Sequence, residues 1–156
     1  MIPLTVRSHY SLMWGVPSIR RLCRTARKMG YNRLALTDTD NLYGLWPFLK
    51  ACRQEGLQPI IGAEVTDPGS RRRAVCLVKN DNGYRNLCRL LTYRHTDDAF
   101  DLGTTLPTLA QGLVVLTQDV DLLRSWHAAE VDVAAALPRR PLPPGHRLCR
   151  TADALQ

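Results

Sequence analysis

The segment Arg33-Leu34-Ala35-Leu36-Thr37-Asp38-Thr39-Asp40-Asn41-Leu42-Tyr43-Gly44 constrains the fold of this chain more than any other. It opens as an apolar run too short for a helix and breaks off in polar residues suited to turning and capping. Helical spacing resumes directly after it. A strand that stops where a helix begins is the repeating unit of a β/α chain. In such chains the carboxyl end of the strand presents side chains to a site, so Asp38 is expected at a strand tip. The same residues also suit a plain helix start, because Asp and Asn are favoured N-caps. Spacing alone leaves both readings open.

The rest of the chain repeats the alternation. A strand-like run over residues 3–8 leads through Tyr10-Ser11 to Pro17-Ser18, which announce a helix with Ile19, Leu22, Cys23, Ala26 and Met29 on one stripe and Gly30 as its stop. A second helix carries Leu45, Phe48, Leu49 and Cys52, with Pro47 tolerable in its first turn and Gly56 closing it. Strands are expected at 59–65, with Glu64 near the end, at 74–78 and at 113–117. The stripe Tyr84, Leu87, Cys88, Leu91 marks a third helix. Residues 93–105 read as an irregular loop, and Asp119 to about Glu130 as a helix with Trp126 inward. Residues 131–137 read as a short strand or the end of that helix. Four prolines between Pro138 and Gly145 indicate extended linker or loop, and Arg147–Gln156 is weakly strand-like. Strands apolar on both faces that alternate with helices predict a mostly parallel α/β sheet, open or closed into a barrel.

At 156 residues the chain suits one domain with a real core. A hydrophobic content of 45% and a charged content of 22% are those of an ordinary globular protein. The net charge of +7, carried mostly by Arg, suits polyanionic partners. Arg20, Arg21, Arg24, Arg27 and Lys28 line one helix face and are candidate phosphate or DNA contacts, although a solvated face is the simpler account. No apolar run reaches the roughly 18 residues of a membrane span, and no signal peptide is visible. The five cysteines form no CxxC pair and read as reduced core residues of a cytoplasmic protein.

Three segments in order resemble the PHP (polymerase and histidinol phosphatase) domain, most closely the version at the N-terminus of the bacterial DNA polymerase III alpha subunit. They are Thr5-Val6-Arg7-Ser8-His9-Tyr10-Ser11-Leu12, Leu36-Thr37-Asp38-Thr39-Asp40-Asn41-Leu42-Tyr43-Gly44 and Ile60-Ile61-Gly62-Ala63-Glu64. The resemblance continues through Leu77-Val78-Lys79-Asn80, Gly83–Leu91 and Gly112–Thr117, and extends to Leu148–Leu155 as a later Asp-x-His motif. It implies a PHP-type distorted (β/α) barrel, here truncated or incomplete, as a single PHP-like domain over 1–156 with no polymerase palm.

The resemblance also implies a site that holds two or three divalent metals (zinc, manganese, iron or magnesium) on histidines and carboxylates. The matching positions here are Thr5, Arg7, Asp38, Thr39, Glu64, Asp153 and Leu155, with Trp14 where an acidic residue is expected. Asp38, Glu64 and Asp153 keep their carboxylates while the imidazoles are gone, and His9 is read as off the ligand face. Two close carboxylates at neighbouring strand ends would repel, and Arg7 is expected either to pair with Asp38, Glu64 or both, or to be an ordinary surface arginine. No cofactor and no catalytic residue are therefore expected; Asp38 and Glu64 are the only candidates should any metal bind. The expected function is a degenerate, non-catalytic PHP domain acting as a structural or protein-docking module in DNA replication or repair. Its partners would be the rest of a polymerase or a proofreading exonuclease subunit. The alternatives are a metal-dependent phosphoesterase or 3′-5′ exonuclease with an altered site, and a basic nucleic-acid-binding module.

Overall fold

The structure is a computed structural model that describes residues 2–136 and 146–155. The chain divides into two compact units, Met1–Glu64 and Val65–Gln156.

The first unit is built from α1 (Ile19–Lys28), β1 (Arg33–Thr39), α2 (Leu45–Glu55) and β2 (Gln58–Thr66), whose last two residues belong to the second unit. The strands run parallel in unbroken register from Arg33↔Gln58 to Thr39↔Glu64. Ser18 caps α1 by accepting from the Arg21 N–H, and Gly56 ends α2 at φ 66°, a left-handed turn that glycine adopts without strain. Ile19, Cys23 and Ala26 of α1, Phe48, Ala51 and Cys52 of α2, and Leu34 and Leu36 of β1 form one apolar cluster. The Cys23 and Cys52 sulfurs lie 3.8 Å apart inside it.

The expected first strand at 3–8 is not a strand. The segment runs beside β1, where the Ala35 N–H donates to the Pro3 carbonyl and the Thr37 N–H to the Val6 carbonyl. Pro3 has no N–H to return, and the Val6 N–H goes to the Thr37 hydroxyl, so no regular ladder forms.

In the second unit β3 (Arg73–Val78) and β4 (Leu113–Thr117) are antiparallel, and β5 (Val133–Ala135) lies parallel to β4. The β3–β4 direction departs from the parallel expectation because an apolar run reports burial on both faces, not strand polarity. The described pairings close no barrel. α3 (Asp81–Thr96), α4 (Leu102–Leu109), α5 (Val120–Ala128) and α6 (Arg147–Ala154) complete the unit.

Three local expectations change. The stretch 93–105 holds the end of α3 and the start of α4, whose Asp101 accepts from the Thr104 N–H and whose Leu102 and Leu106 are buried one turn apart. Residues 147–154 form a helix, not a strand, with Leu148 and Thr151 as its inward face. On α3 the core face is Asn86, Leu87, Leu90 and Leu91, while Tyr84 is exposed and Cys88 half-buried. The proline-rich stretch 138–145 lies outside the described residues. Cys23, Cys52 and Cys76 are buried, and burial pushes the Cys76 thiol up to about 12.

Trp126 is fully buried, and its indole N–H donates to the Gly103 carbonyl at 3.0 Å. Trp126→Ala should therefore cost about 3–5 kcal/mol through lost contacts and a cavity. Urea denaturation followed by circular dichroism is the measurement.

Candidate functional site

At the carboxyl end of β1 the backbone makes a sharp exit. Asp40 adopts φ 55°, a left-handed conformation that Asp tolerates better than most residues. Its N–H donates to the Glu64 carbonyl at 2.7 Å, which fixes the two strand ends together. The Asn41 side-chain amide donates to the carbonyls of Thr39 and Tyr10 and anchors the loop. The Asp38–Asn41 cluster does not cap the following helix: α2 starts from Gly44 with no side-chain cap.

Asp38 is 1% exposed. Its Oδ1 accepts from the Ser8 N–H at 2.7 Å and from the Ser11 hydroxyl at 2.6 Å, and its Oδ2 from the Ser8 hydroxyl at 2.8 Å. The Ser11 oxygen in turn accepts from the Thr39 N–H, and the Ser8 oxygen from the Tyr10 N–H. Each hydroxyl thus both donates and accepts, and a buried carboxylate needs that density of donors. The chain turns tightly here: the Trp14 and Gly15 N–H groups both donate to the Ser11 carbonyl. A Cβ on Gly15 would fall 1.8 Å from the Ser8 carbonyl oxygen, so only glycine fits.

Glu64 is 2% exposed, and its Oε2 accepts from the Arg7 guanidinium through Nε at 2.7 Å and through Nη2. The Arg7 side chain remains 33% exposed, with its guanidinium carbon 5.6 Å from the centre of the Trp14 ring, within cation–π range. Sequence reasoning placed Arg7 against Asp38, Glu64 or both; the structure places it on Glu64.

Strand alternation gives the reason. Glu64 is the register partner of Thr39, so Glu64 and Thr39 share one face of the β1–β2 ladder while Asp38 points to the other. Asp38 accordingly lines a small cavity with Leu36, Leu45 and Phe48 on the helix side. The expected repelling carboxylate pair is therefore corrected: the two acids occupy opposite faces and are served separately, by Ser8 and by its neighbour Arg7.

The other expected positions fall on several different elements. Thr5 is exposed, and Thr39 is half-buried with its hydroxyl oxygen buried and no hydrogen-bond partner among the described residues. His9 is exposed in a turn with its ring against Tyr10, because the chain has left its extended course there; strand parity is not the cause. Asp153 is exposed on α6 and Leu155 is half-buried after it, both in the second unit. Among the described residues, no three His, Cys, Asp or Glu side chains gather closely enough to hold a metal ion. Sequence reasoning gave no role to Ser8 or Ser11, and offered Asn41 only as part of a helix start. Ser8 and Ser11 stood inside the opening motif, but their link to Asp38 depends on a register that spacing within one segment does not carry.

Residues 3–137 match the PHP domain family, and the chain belongs to it. Its relatives include the DNA polymerase III alpha subunits of Chlamydia pneumoniae (40% identical over 109 residues, 62% of this chain) and Treponema pallidum (43% over 99 residues, 55%). That of Bacillus subtilis is 39% identical over 94 residues, 57% of this chain. These matches span 8–9% of the relatives' own length. Among solved structures, a Bifidobacterium adolescentis protein proposed to be a metal-dependent phosphoesterase superposes with a TM-score of 0.70, covering 99% of this chain and 84% of its own. Its identity of 14% makes this a likeness of fold. Among the described residues no helix is long and apolar enough to cross a membrane.

Arg7→Ala should destabilise the protein by about 2–4 kcal/mol, somewhat below the cost of breaking a fully buried pair because Arg7 is partly solvated. Adding Glu64→Gln should recover part of that loss, since a buried amide needs less compensation than a buried carboxylate. Thermal or urea denaturation of the two variants measures both effects.

Proposed function

We propose that this chain is a PHP domain of the DNA polymerase III alpha lineage with a degenerate metal site. Its work is structural: it supports a polymerase body or docks a partner such as a proofreading exonuclease subunit, in DNA replication or repair. On this reading both compact units belong to one PHP-like domain and no residue is catalytic.

The observation that carries the reading is the Arg7–Glu64 ion pair. A divalent cluster of the family's kind needs imidazoles together with carboxylates. Here the ligand positions hold Thr5, Arg7 and Thr39, the Glu64 carboxylate already faces a permanent cation, and both Asp38 oxygens accept from serines. This donor set does not suit a metal cluster, so no hydrolytic step is assigned to it. Docking is supported by apolar side chains left in solvent, Leu12 (81% exposed), Met13 (101%) and Val16 (89%) after Ser11 and Tyr43 (73%) in the loop before α2.

Protein purified without chelator should contain no stoichiometric zinc, manganese, iron or magnesium by elemental analysis, and should not hydrolyse a generic phosphodiester when these ions are added. Arg7→His should not restore metal binding, because Thr5 and Thr39 remain without imidazoles. Stoichiometric metal that is released by Glu64→Ala or Asp38→Ala would overturn the reading. For docking, Leu12→Glu with Met13→Glu should abolish co-purification with polymerase III subunits while leaving the circular dichroism spectrum unchanged.

A further inference from the structure

Within the first unit, α1 and α2 pack side by side and leave a groove of about 330 Å³ on their outer side, lined by Ile19, Arg20, Trp46, Pro47, Lys50, Ala51 and Gln54. Its floor is apolar, from Ile19 and Ala51. Its walls carry two cations, and neither Arg20 nor Lys50 has a carboxylate partner among the described residues. Trp46 stands in the first turn of α2 with 77% of its surface exposed, although tryptophan is on average a heavily buried residue.

The surroundings extend the same chemistry. Trp46, Lys50 and Arg53 recur at helical spacing on the exposed face of α2, and Arg20, Arg24 and Arg27 do so on α1. The nearest acid on these helices is Glu55, at the far end of α2, held loosely by Arg24 at 3.8 Å.

We propose that this groove binds single-stranded nucleic acid, with a base stacked on the Trp46 indole and flanking phosphates on Arg20 and Lys50. Three features select that ligand. The cation-rimmed, acid-free groove complements a polyanion. An exposed indole beside those cations is the pairing that proteins use to hold single strands without reading sequence. A duplex keeps its bases stacked and offers the indole no face, and an acidic peptide would engage the cations but leave the indole unused. The groove lies outside the Asp38 and Glu64 arrangement, so its function stands or falls independently of the metal question.

The test uses the full chain, with fluorescence anisotropy of a labelled oligothymidylate of about 12 nucleotides and salt titration. The expected results are binding with quenched tryptophan emission, about tenfold weaker binding for Trp46→Ala, and a log–log salt slope shallower by about 1.4 for Arg20→Gln with Lys50→Gln. Unlabelled duplex and polyglutamate should compete poorly. All three side chains are largely in solvent, so the variants should keep the parent's circular dichroism spectrum. No binding, unchanged affinity on losing Trp46, or equal competition by duplex or polyglutamate would overturn the proposal.

Discussion

The arrangement of the first unit depends on how one buried charge is accommodated. A carboxylate at a strand end, closed off from water, costs several kcal/mol unless it is surrounded by donors. Asp38 gets them from a single short stretch, the N–H and hydroxyl of Ser8 and the hydroxyl of Ser11. That requirement brings the N-terminal segment against β1 without a regular ladder, bends it at Gly15, and sets where Arg7 emerges. The segment is held at its end by a charge, and along its length by only a few backbone bonds.

Where sequence signals were dense, the fold was legible. The stripes of α1, α2 and α5 and the short apolar runs of β1 to β4 mark elements whose burial is one-sided or complete, which period alone can detect. α4 and α6 have only about two turns each and two buried positions apiece, too few for a period to stand out from polar surroundings. Strand direction in β3 was unreadable for a different reason, since parallel and antiparallel strands bury the same side chains.

The site divides along similar lines. Asp38 and Glu64 were identifiable as strand-end acids because each terminates an apolar run. Their separation onto opposite faces was not identifiable, because it follows from the pairing of Thr39 with Glu64, two residues 25 positions apart in the sequence. The contact of Arg7 with Glu64 was legible only as one choice among several, an ordinary surface arginine included. The chain also supplies this cation itself. A metal centre must capture its ion and deprotonate its ligands, so its contribution to folding varies with pH and supply. A guanidinium is present in every copy and needs neither capture of an ion nor deprotonation of a ligand.

The neighbouring positions of Arg7 and Ser8 carry one more implication. Because successive residues of an extended segment face opposite ways, sliding the N-terminal stretch by one place along β1 would drive the guanidinium toward Leu36 and Phe48 and leave Glu64 facing a hydroxyl or an apolar side chain. The first error buries a charge among apolar side chains, and the second breaks the Arg7–Glu64 pair. An edge segment with so few backbone bonds would otherwise be free to slip; the ion pair and the serine cage together act as a two-sided key that accepts a single alignment.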